Sequence, residues 1–576
     1  MTRQDPTPSP PPPGHGRPSR RGAAAYWAVA LCVIALFYGE FLFSDRVGIL
    51  DWCKDLHYFA FLYDSLRSFG QLPLSFLAIP ETTTGFSTLQ NLSYWSNPEV
   101  LSFSPLLPLA FALPLMAFMK TFFGLHLLAA TWGVRLLALR RGFDAGQSIL
   151  LLLLFLCNPW LVQHLAIGYS PQISLCLVPG IVALLAARDF RPLEWAGASL
   201  LAALIFYQGA LHLFVWLFLA AGVYALADAA IRQRAAFLWR MPYFFLATAV
   251  LVAPKAYAAT KVYGGWERVP GDGYASLADL WGLLTDDVFP MFQFPETYSH
   301  HNVAFYDGSL LVGPAFVALA TLLAGGYLLA LLRRRRPRPG DTVVDGACLV
   351  AVLVFLVLGS GTVWRELSVW LRLASSEIYP FRFLFVAFHF VAFFVADRVG
   401  SWPTDRTGRL RLAACVTLLV PTLLTFHARN RELMPHLTAN PNFYGDFSIA
   451  EYMSNRIVAL TGQTRLPIAV SPNLIVITPT GVVGQRIALP WMTRKEARHY
   501  RFEAARVTDD APGGTTVIEV TVSSRQVRVT PDASRRGQLC PASLLVFVLL
   551  TAALRRIARA LPGLFTPGAT QGVGHA

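Results

Sequence analysis

Long apolar runs, separated by short basic or polar stretches, cover most of the chain. A helix needs about 20 mostly apolar residues to cross the hydrocarbon core of a bilayer. Runs that approach this length occupy 23–43, 121–139, 148–165, 171–187, 194–208, 210–228, 240–258, 309–331, 344–360, 381–397, 411–428 and 541–554. The pattern predicts an all-α multi-pass membrane protein with about 12 transmembrane helices.

Basic clusters between the runs set the expected orientation. Arginines occur before the first run, in the stretch 333–336 and after the last run. Because Lys and Arg are enriched in cytoplasmic loops, both termini are expected in the cytoplasm. The apolar segment 103–119 contains three prolines, and a full crossing there would move every later Arg cluster outside. We therefore expect a re-entrant or interfacial segment at 103–119.

The region 429–538 differs from the rest of the chain because it contains short strand-like pieces. NLIVITP stands at 473–479, and apolar and polar residues alternate around a short turn at 515–530. This alternation predicts a β-hairpin within a small exterior β-rich domain. The expected division is a disordered, Pro-rich cytoplasmic tail (1–22), a transmembrane module (23–428), the exterior domain (429–538), and a last transmembrane helix with a cytoplasmic tail (539–576).

Composition narrows the class of function. The 576 residues are 55% hydrophobic and 14% charged, and the net charge is +14. Since the arginines lie between apolar runs, membrane topology accounts for this charge and no nucleic-acid partner is expected. The seven cysteines form no C-x-x-C pair, and no D-x-D motif occurs. We therefore expect neither a bound metal nor a cofactor.

The exterior loop at 44–102 carries the candidate chemistry. Asp51 and Asp55 lie four residues apart, just after the first membrane run. Asp55 opens the segment DLHYFAFLYDSLRSFG, whose apolar residues recur at helical spacing up to Gly70. This predicts a helix that lies in the membrane interface, with Gly70 at its C-terminal end. Asp55 either caps this helix or acts as a general base at the membrane surface.

The order of these motifs resembles a known family. DLHYFAFLYDSLRSFGQLPL, SNPEV and SPLLPLAF follow one another, and CNPWLVQHLAIGYSPQ and IYPFRFLFVAFHF occur downstream. These motifs resemble those of the GT-C superfamily of polyprenyl-phosphate-dependent membrane glycosyltransferases, and most of all those of its YfhO-like branch. It departs at Ser75, where the family usually has Trp. The resemblance implies a hexosyl- or pentosyltransferase of cell-envelope glycan biosynthesis in the plasma (inner) membrane, with its active site facing the exterior or periplasm.

The resemblance also implies roles for particular residues. Asp55, or else Asp51, would deprotonate an acceptor hydroxyl that attacks the anomeric carbon while the lipid phosphate departs. The donor is a polyprenyl-phosphate-linked sugar, and the acceptor is a glycan, lipid or protein. Cations near the exterior ends of helices are candidates to bind the donor phosphate, namely Arg382, Arg372 and Lys255. Further residues are expected to position the acceptor or the loop, namely His57, Tyr58, Asn97 and Glu99.

Two other classes compete with the enzyme. A polytopic transporter, or a lipid or polysaccharide flippase, builds its site at the bilayer midplane from broken helices and often has two related halves. The chain shows no convincing internal repeat, and its polar residues concentrate in the exterior loops. The third alternative is a catalytically inactive scaffold. The position of the polar residues favours the glycosyltransferase.

Overall fold

The structure is a computed structural model, mostly helical with a small β region near the C-terminus. It describes residues 20–44, 46–47, 52–74, 94–186, 191–232, 236–263, 274, 276–285, 312–332, 342–370, 380–400, 413, 466–471, 473–480, 482–493, 500–508, 515–522, 526–531 and 539–560. The expected tail at 1–22 lies almost entirely outside these ranges. So does the run 411–428, apart from Ala413.

Sixteen α-helices occur among the described residues. They are α1 (Arg20–Leu42), α2 (Trp52–Phe69), α3 (Leu109–Ala112), α4 (Leu115–Arg141), α5 (Ala145–Leu156), α6 (Pro159–Ile167), α7 (Val178–Leu185), α8 (Pro192–Tyr207), α9 (Leu211–Arg232), α10 (Ala236–Tyr263), α11 (Leu277–Thr285), α12 (Pro314–Leu332), α13 (Thr342–Gly359), α14 (Gly361–Trp370), α15 (Phe383–Gly400) and α16 (Leu539–Ala560). Two 3₁₀ segments, Ser170–Leu177 and Pro380–Arg382, precede α7 and α15.

The helices define a polytopic membrane protein. Within the described ranges, eight helical stretches are long and apolar enough to cross a membrane, and three further apolar stretches of 10–17 residues accompany them. Each apolar run that falls in these ranges contains a helix at the predicted place. The total of about 12 spans stays a prediction.

The predicted span 148–165 is broken in the structure. The Asn158 side chain accepts a hydrogen bond of 2.9 Å from the Trp160 backbone N–H and so caps α6. Pro159 occupies the first position of α6, where its missing N–H costs no helical hydrogen bond. Gly168, at a φ of 95°, then ends α6. These two interruptions turn the chain so that the segment after Gly168 lies beside α2.

The segment 103–119 is not one separate element in the structure, and its expected re-entrant or interfacial position stays a prediction. Its start forms turns and the four-residue helix α3, which Pro108 precedes. Leu113 is extended, and Pro114 stands directly before α4. Residues 115–119 therefore belong to the long helix α4 instead of a separate element.

Helix α2 is buried on most of its surface. The ring of Phe59 lies 5.9 Å from that of Phe122 and 6.1 Å from that of Phe123, both in α4. Arg67 and Ser68 are exposed. Gly70 has a φ of 63°, the left-handed conformation that favours glycine after a helix. The helix and its C-terminal glycine are confirmed, although the helix begins at Trp52 and not at Asp55. Its place in the membrane interface stays a prediction.

The β region consists of two sheets. The strands are β1 (Ile468–Ser471), β2 (Leu474–Ile477), β3 (Arg486–Thr493), β4 (Tyr500–Glu503), β5 (Ala505–Thr508), β6 (Thr515–Val520) and β7 (Val527–Pro531). One sheet has the order β1-β2-β7-β4 and the other β3-β6-β5, and every pair is antiparallel. The predicted hairpin of β6 and β7 is therefore wrong. Their apolar residues, such as Ile518 and Val529, instead fill one core together with residues of the other strands.

Candidate active site

Asp55 lies in the first turn of α2 and is bound by a distant segment. Its side chain is 2% exposed, and its Oδ2 accepts a hydrogen bond of 2.8 Å from the backbone N–H of Ser170, 115 residues further along the chain. Three residues earlier, at the first residue of α2, the Trp52 indole N–H donates to the Leu165 carbonyl at 2.5 Å. The first turn of α2 is thus tied to both ends of the break after α6. Asp55 thus binds a segment outside its own helix.

Arg382 approaches the same segment from α15. It ends the 3₁₀ turn before α15 and is 5% exposed. Its guanidinium carbon lies 5.7 Å from the centroid of the Tyr169 ring, a cation–π contact. Tyr169 immediately precedes Ser170. The acid and the cation singled out in the sequence therefore contact two consecutive residues.

A stack of aromatic rings fixes this arrangement. Tyr169 lies 5.2 Å from the ring of His164, which stacks on Trp160 at 3.8 Å, and Trp160 stacks on Phe385 at 4.0 Å. Phe385 belongs to the first turn of α15, three residues after Arg382. The stack joins α6 to the start of α15, so the position of Arg382 depends on the packing of α6.

A narrow cleft opens beside Ser170, the backbone partner of Asp55, although Asp55 itself does not line it. Its enclosed volume is about 10 Å³, roughly the room that one water molecule needs. Its walls come from α2, the loop before α3, α4, the 3₁₀ segment at Ser170 and the end of α8; the lining residues are Tyr58, Phe59, Tyr94, Glu99, Val100, Leu101, Phe122, Ser170, Pro171, Ile173, Ser174 and Gln208. Two of the residues expected to position an acceptor, Tyr58 and Glu99, are among them.

Tyr94 lines the cleft and lies near the carboxylate of Asp55. Its phenol is buried and donates to the Leu101 carbonyl at 2.9 Å. Burial raises the pKa of Tyr94 well above its usual value, and the neighbouring Tyr58 and Asp55 raise it further. Tyr94 therefore stays a neutral hydrogen-bond donor across the physiological range.

A buried polar network backs the cleft at the end of α8. Gln208 Oε1 accepts from the Ser174 hydroxyl at 2.6 Å and lies 3.1 Å from His126 Nε2. Gln208 Nε2 donates to the Ser104 hydroxyl at 3.4 Å. Since buried polar groups need partners, this network fixes the 3₁₀ segment, α4 and the loop before α3 to one another.

Asn97 and Gly209 shape the loop that presents Glu99. Asn97 is buried, and its Oδ1 accepts from the Glu99 N–H at 2.8 Å, which closes a turn. Gly209 has a φ of 90°, and a Cβ there would lie 2.6 Å from the Glu99 carbonyl carbon. Only glycine fits this close approach of backbone to backbone. Glu99, itself partly exposed, is held at the cleft in this way.

Lys255 is brought to this loop. It is fully buried in α10, and its Nζ donates to the Val100 carbonyl at 3.1 Å and to the Phe206 carbonyl at 3.4 Å. These contacts give Lys255 a role in holding the loop, and its expected role as a ligand of the donor phosphate stays a prediction. Asp51 and Arg372 lie outside the described residues, as does the side chain of His57.

Several residues of the site were not predicted from the sequence. Tyr169 and Ser170 stand in the stretch GYSPQ, shortly after the run 148–165, and Gln208 and Gly209 stand in FYQGA, at the end of the run 194–208. The sequence signal that could have indicated these four residues is the occurrence of polar or small residues at the end of an apolar run. Among the described residues, no group of three or more His, Cys, Asp or Glu side chains could hold a metal ion.

Comparison with known proteins gives low similarities. No protein-family model and no curated protein matches the chain. The chain is similar to arabinofuranosyltransferase AftD from Mycobacteria at 15% identity, with 73% of this chain and 27% of that chain covered and a TM-score of 0.44. It is also similar to the archaeal oligosaccharyltransferase AglB from Archaeoglobus fulgidus, solved with an inhibitory peptide and a dolichol-phosphate; the identity is 12%, the coverage 72% of this chain and 56% of that chain, and the TM-score 0.35. At these TM-scores, the assignment of function rests on the residues of the chain itself.

Proposed function

We propose that the chain is a GT-C-type membrane glycosyltransferase. It transfers a sugar from a polyprenyl-phosphate donor to a hydroxyl of a glycan, lipid or protein acceptor at the exterior face of the membrane. The observation that carries the proposal is the contact of Asp55 and Arg382 with two consecutive residues, Ser170 and Tyr169, of which Ser170 lines the cleft. A base and an anion-binding cation are the two groups that this reaction requires.

In the proposed reaction, Asp55 is the general base. The Ser170 N–H orients its carboxylate, and the buried surroundings keep bulk water from competing for the proton. Asp55 takes the proton of the acceptor hydroxyl, and the acceptor oxygen bonds to the anomeric carbon of the sugar. The bond between that carbon and the phosphate oxygen breaks with inversion, and its electron pair leaves on the lipid phosphate.

Arg382 receives the negative charge of the leaving group. A guanidinium can bind two phosphate oxygens at once, which a lysine ammonium does not do with the same geometry. The Tyr169 ring supports the guanidinium from one face and the aromatic stack below holds that ring. The charge that develops in the transition state is thus met by a cation that is already in position.

A transporter or flippase is the second candidate, because the helices next to the site are discontinuous. The break between α5 and α6 and the 3₁₀ segment Ser170–Leu177 resemble the interrupted helices that form transporter sites. The two candidates differ in their product. A transferase makes a new glycosidic bond, whereas a transporter moves an unchanged lipid or glycan across the bilayer.

The test is sugar transfer from a panel of synthetic polyprenyl-phosphate sugars by purified protein in proteoliposomes. Wild type, Asp55→Asn and Asp51→Asn are compared at matched protein levels. Loss of transfer in Asp55→Asn alone supports the proposal. Loss in Asp51→Asn alone keeps the enzyme and moves the base to Asp51. If wild type transfers no sugar from any donor and moves labelled lipid between leaflets, the transporter replaces the enzyme.

A further inference from the structure

Three polar side chains from outside the exterior loop bind the backbone of that loop. We extend the exterior loop, first taken as 44–102, to residues 44–114, because these connect α1 to α4. It then includes α2, α3 and the cleft-lining segment 94–101. The three side chains are Lys120, Asn473 and Lys255. They belong to α4, the β region and α10, and they contact the start, the middle and the end of the loop.

Lys120 binds the start of the loop. It is 9% exposed, and its Nζ donates to the carbonyls of Ser44 and Arg46, the latter at 3.3 Å. The ammonium also lies 5.6 Å from the centroid of the Phe41 ring at the end of α1. An ammonium has three donors, and it can bind several carbonyls that converge on one point. Lys120 thus fixes the chain where it leaves α1 on the way to α2.

Asn473, in the turn between β1 and β2, binds the middle of the loop. Its Oδ1 accepts from the Leu74 N–H at 2.7 Å, and its Nδ2 donates to the Leu72 carbonyl at 2.8 Å. The side-chain amide thus pairs with this segment as the peptide group of a neighbouring strand would. The Leu74 carbonyl in turn accepts from the Trp95 N–H at 3.3 Å. Asn473 is therefore linked to the wall of the cleft through Leu74, because Trp95 follows the lining residue Tyr94.

Lys255 binds the end of the loop through the Val100 carbonyl, and it binds the end of α8 through the Phe206 carbonyl. The N–H groups of Ser102 and Phe103 reinforce the same junction by donating to the Tyr207 carbonyl, at 2.8 and 3.3 Å. Val100 lines the cleft. Lys255 therefore sets the distance between the cleft-lining segment and the end of α8.

Buried lysines in apolar helices call for an explanation, because an ammonium inside a membrane protein is unfavourable unless it is bound. Of the five lysines, Lys120, Lys255 and Lys261 lie in stretches long and apolar enough to span the membrane, and the first two are buried. Both direct their donors to carbonyls of the same loop. A leucine or methionine would satisfy helix packing alone, so the packing of α4 and α10 does not account for them.

We propose that Lys120, Asn473 and Lys255 are positioning residues that hold the exterior loop in the geometry required for sugar transfer at Asp55. The β region is then one of three anchors of the active-site loop. The anchoring rests on the contacts above, and its link to sugar transfer rests on the proposed function. The two parts have separate readouts, so the failure of one can be told from the failure of the other.

The first readout is hydrogen exchange of the full-length protein in lipid nanodiscs. Asn473→Ala removes the acceptor of the Leu74 N–H, and we expect that amide to exchange roughly five- to tenfold faster. Asn473→Asp keeps the acceptor but loses the donor to Leu72, so its effect on the Leu74 amide is smaller. Gln485→Ala is the matched control, because Gln485 accepts from Thr480 within the β region. It leaves the Leu74 amide unchanged.

The lysines are tested in the same way. Lys255→Met keeps the length of the side chain and removes its donors, and we expect roughly fivefold faster exchange of the Ser102 and Phe103 amides. Lys120→Met is expected to do the same for the Arg46 amide, which donates to the Ser44 hydroxyl at 3.1 Å. Lys261→Met is the control on α10, because Lys261 is exposed and its ammonium lies over the Tyr257 ring. Unchanged exchange in all three anchor variants overturns the anchoring, whatever their activity.

The second readout is transfer kinetics of the same variants. A positioning role predicts a roughly tenfold lower kcat with a nearly unchanged KM for the donor and an unchanged melting temperature. Faster exchange together with full kcat shows that the loop is anchored for another purpose and overturns the positioning role. If wild type transfers no sugar from any donor, the positioning role falls with the proposed function, and the exchange data still decide the anchoring.

Discussion

The two acids of α2 lie in contrasting surroundings. Asp55, in the first turn, is 2% exposed and bound by the N–H of Ser170 from a distant part of the chain. Asp64, in the second half of the helix, is partly exposed and accepts from the Ser68 hydroxyl one turn later, at 2.8 Å. Asp55 thus connects α2 to a distant segment of the chain, whereas Asp64 makes a contact within α2. A distant backbone partner, more than burial alone, distinguishes Asp55, the acid that we propose as the base.

The largest expected effect separates the two acids directly. Asp55→Asn removes the proposed base without changing the size of the side chain, and we expect transfer to fall by about 10³-fold. Asp64→Asn keeps a partner for Ser68, and its transfer rate is expected to stay within about twofold of wild type. Initial rates at saturating donor measure both. Similar losses in the two variants would remove the distinction on which the site assignment depends.

The comparison extends to the two arginines near the ends of α15. Arg382 lies over Tyr169 beside the site, whereas Arg398 lies over Tyr327 near the other end of the helix, at 4.5 Å. We expect Arg382→Gln to raise the KM for the donor by roughly 10- to 100-fold, because a charge-assisted phosphate contact is lost. Arg398→Gln is expected to leave the donor KM unchanged. An unaltered KM in Arg382→Gln would place the lipid phosphate elsewhere.

A pair of glycines tests whether the close packing around the cleft matters. Gly209→Ala places a Cβ 2.6 Å from the Glu99 carbonyl carbon at a φ of 90°, so we expect a loss of about 2 kcal/mol in stability. Gly222→Ala in α9 meets nothing within 4 Å and is expected to be neutral or slightly stabilising. Thermal unfolding in detergent gives both values. Equal melting temperatures would show that the loop at Glu99 yields easily.

The smallest expected effect is a dependence on pH at Asp64. Burial raises the pKa of this carboxyl above its ordinary value of 3.8, and the Ser68 hydrogen bond opposes that shift. The folded state therefore binds the Asp64 proton more tightly than the unfolded state does. The stability that this proton contributes is complete below pH 3.8 and is lost as the pH rises from 3.8 through the raised pKa of the folded state. Asp64→Asn removes this decline. The melting temperature of wild type, relative to that of the variant, should therefore fall by about 1 °C between pH 4 and pH 7. A constant difference would contradict the raised pKa.

Local sequence was sufficient for the elements that depend on local interactions. The apolar period from Phe59 onward predicted α2, and Gly70 predicted its end, because both depend on residues within a few turns. The apolar runs in the described ranges each gave helices. Tyr58 and Glu99 were predicted as positioning residues, and both line the cleft. Whether they contact an acceptor stays a prediction.

Features that depend on distant partners could not be predicted. The break at Asn158 lies inside a continuous apolar run, so hydropathy alone predicted one span. The contact of Asp55 with Ser170 joins residues 115 positions apart. The alternating pattern at 515–530 correctly predicted strands, but pairing within the sheets placed β6 and β7 apart. In each case the deciding interaction is made by a segment that the local pattern does not contain.

The most direct test of the central claim, that Asp55 is the base of a sugar transfer, combines two measurements on one variant. Purified Asp55→Asn in nanodiscs is assayed for binding of a polyprenyl-phosphate sugar and, in the same preparation, for single-turnover transfer to the acceptor. The account predicts donor binding within about threefold of wild type and transfer reduced by about 10³-fold, because the base acts only in the chemical step. Transfer at the wild-type rate with normal binding would contradict it.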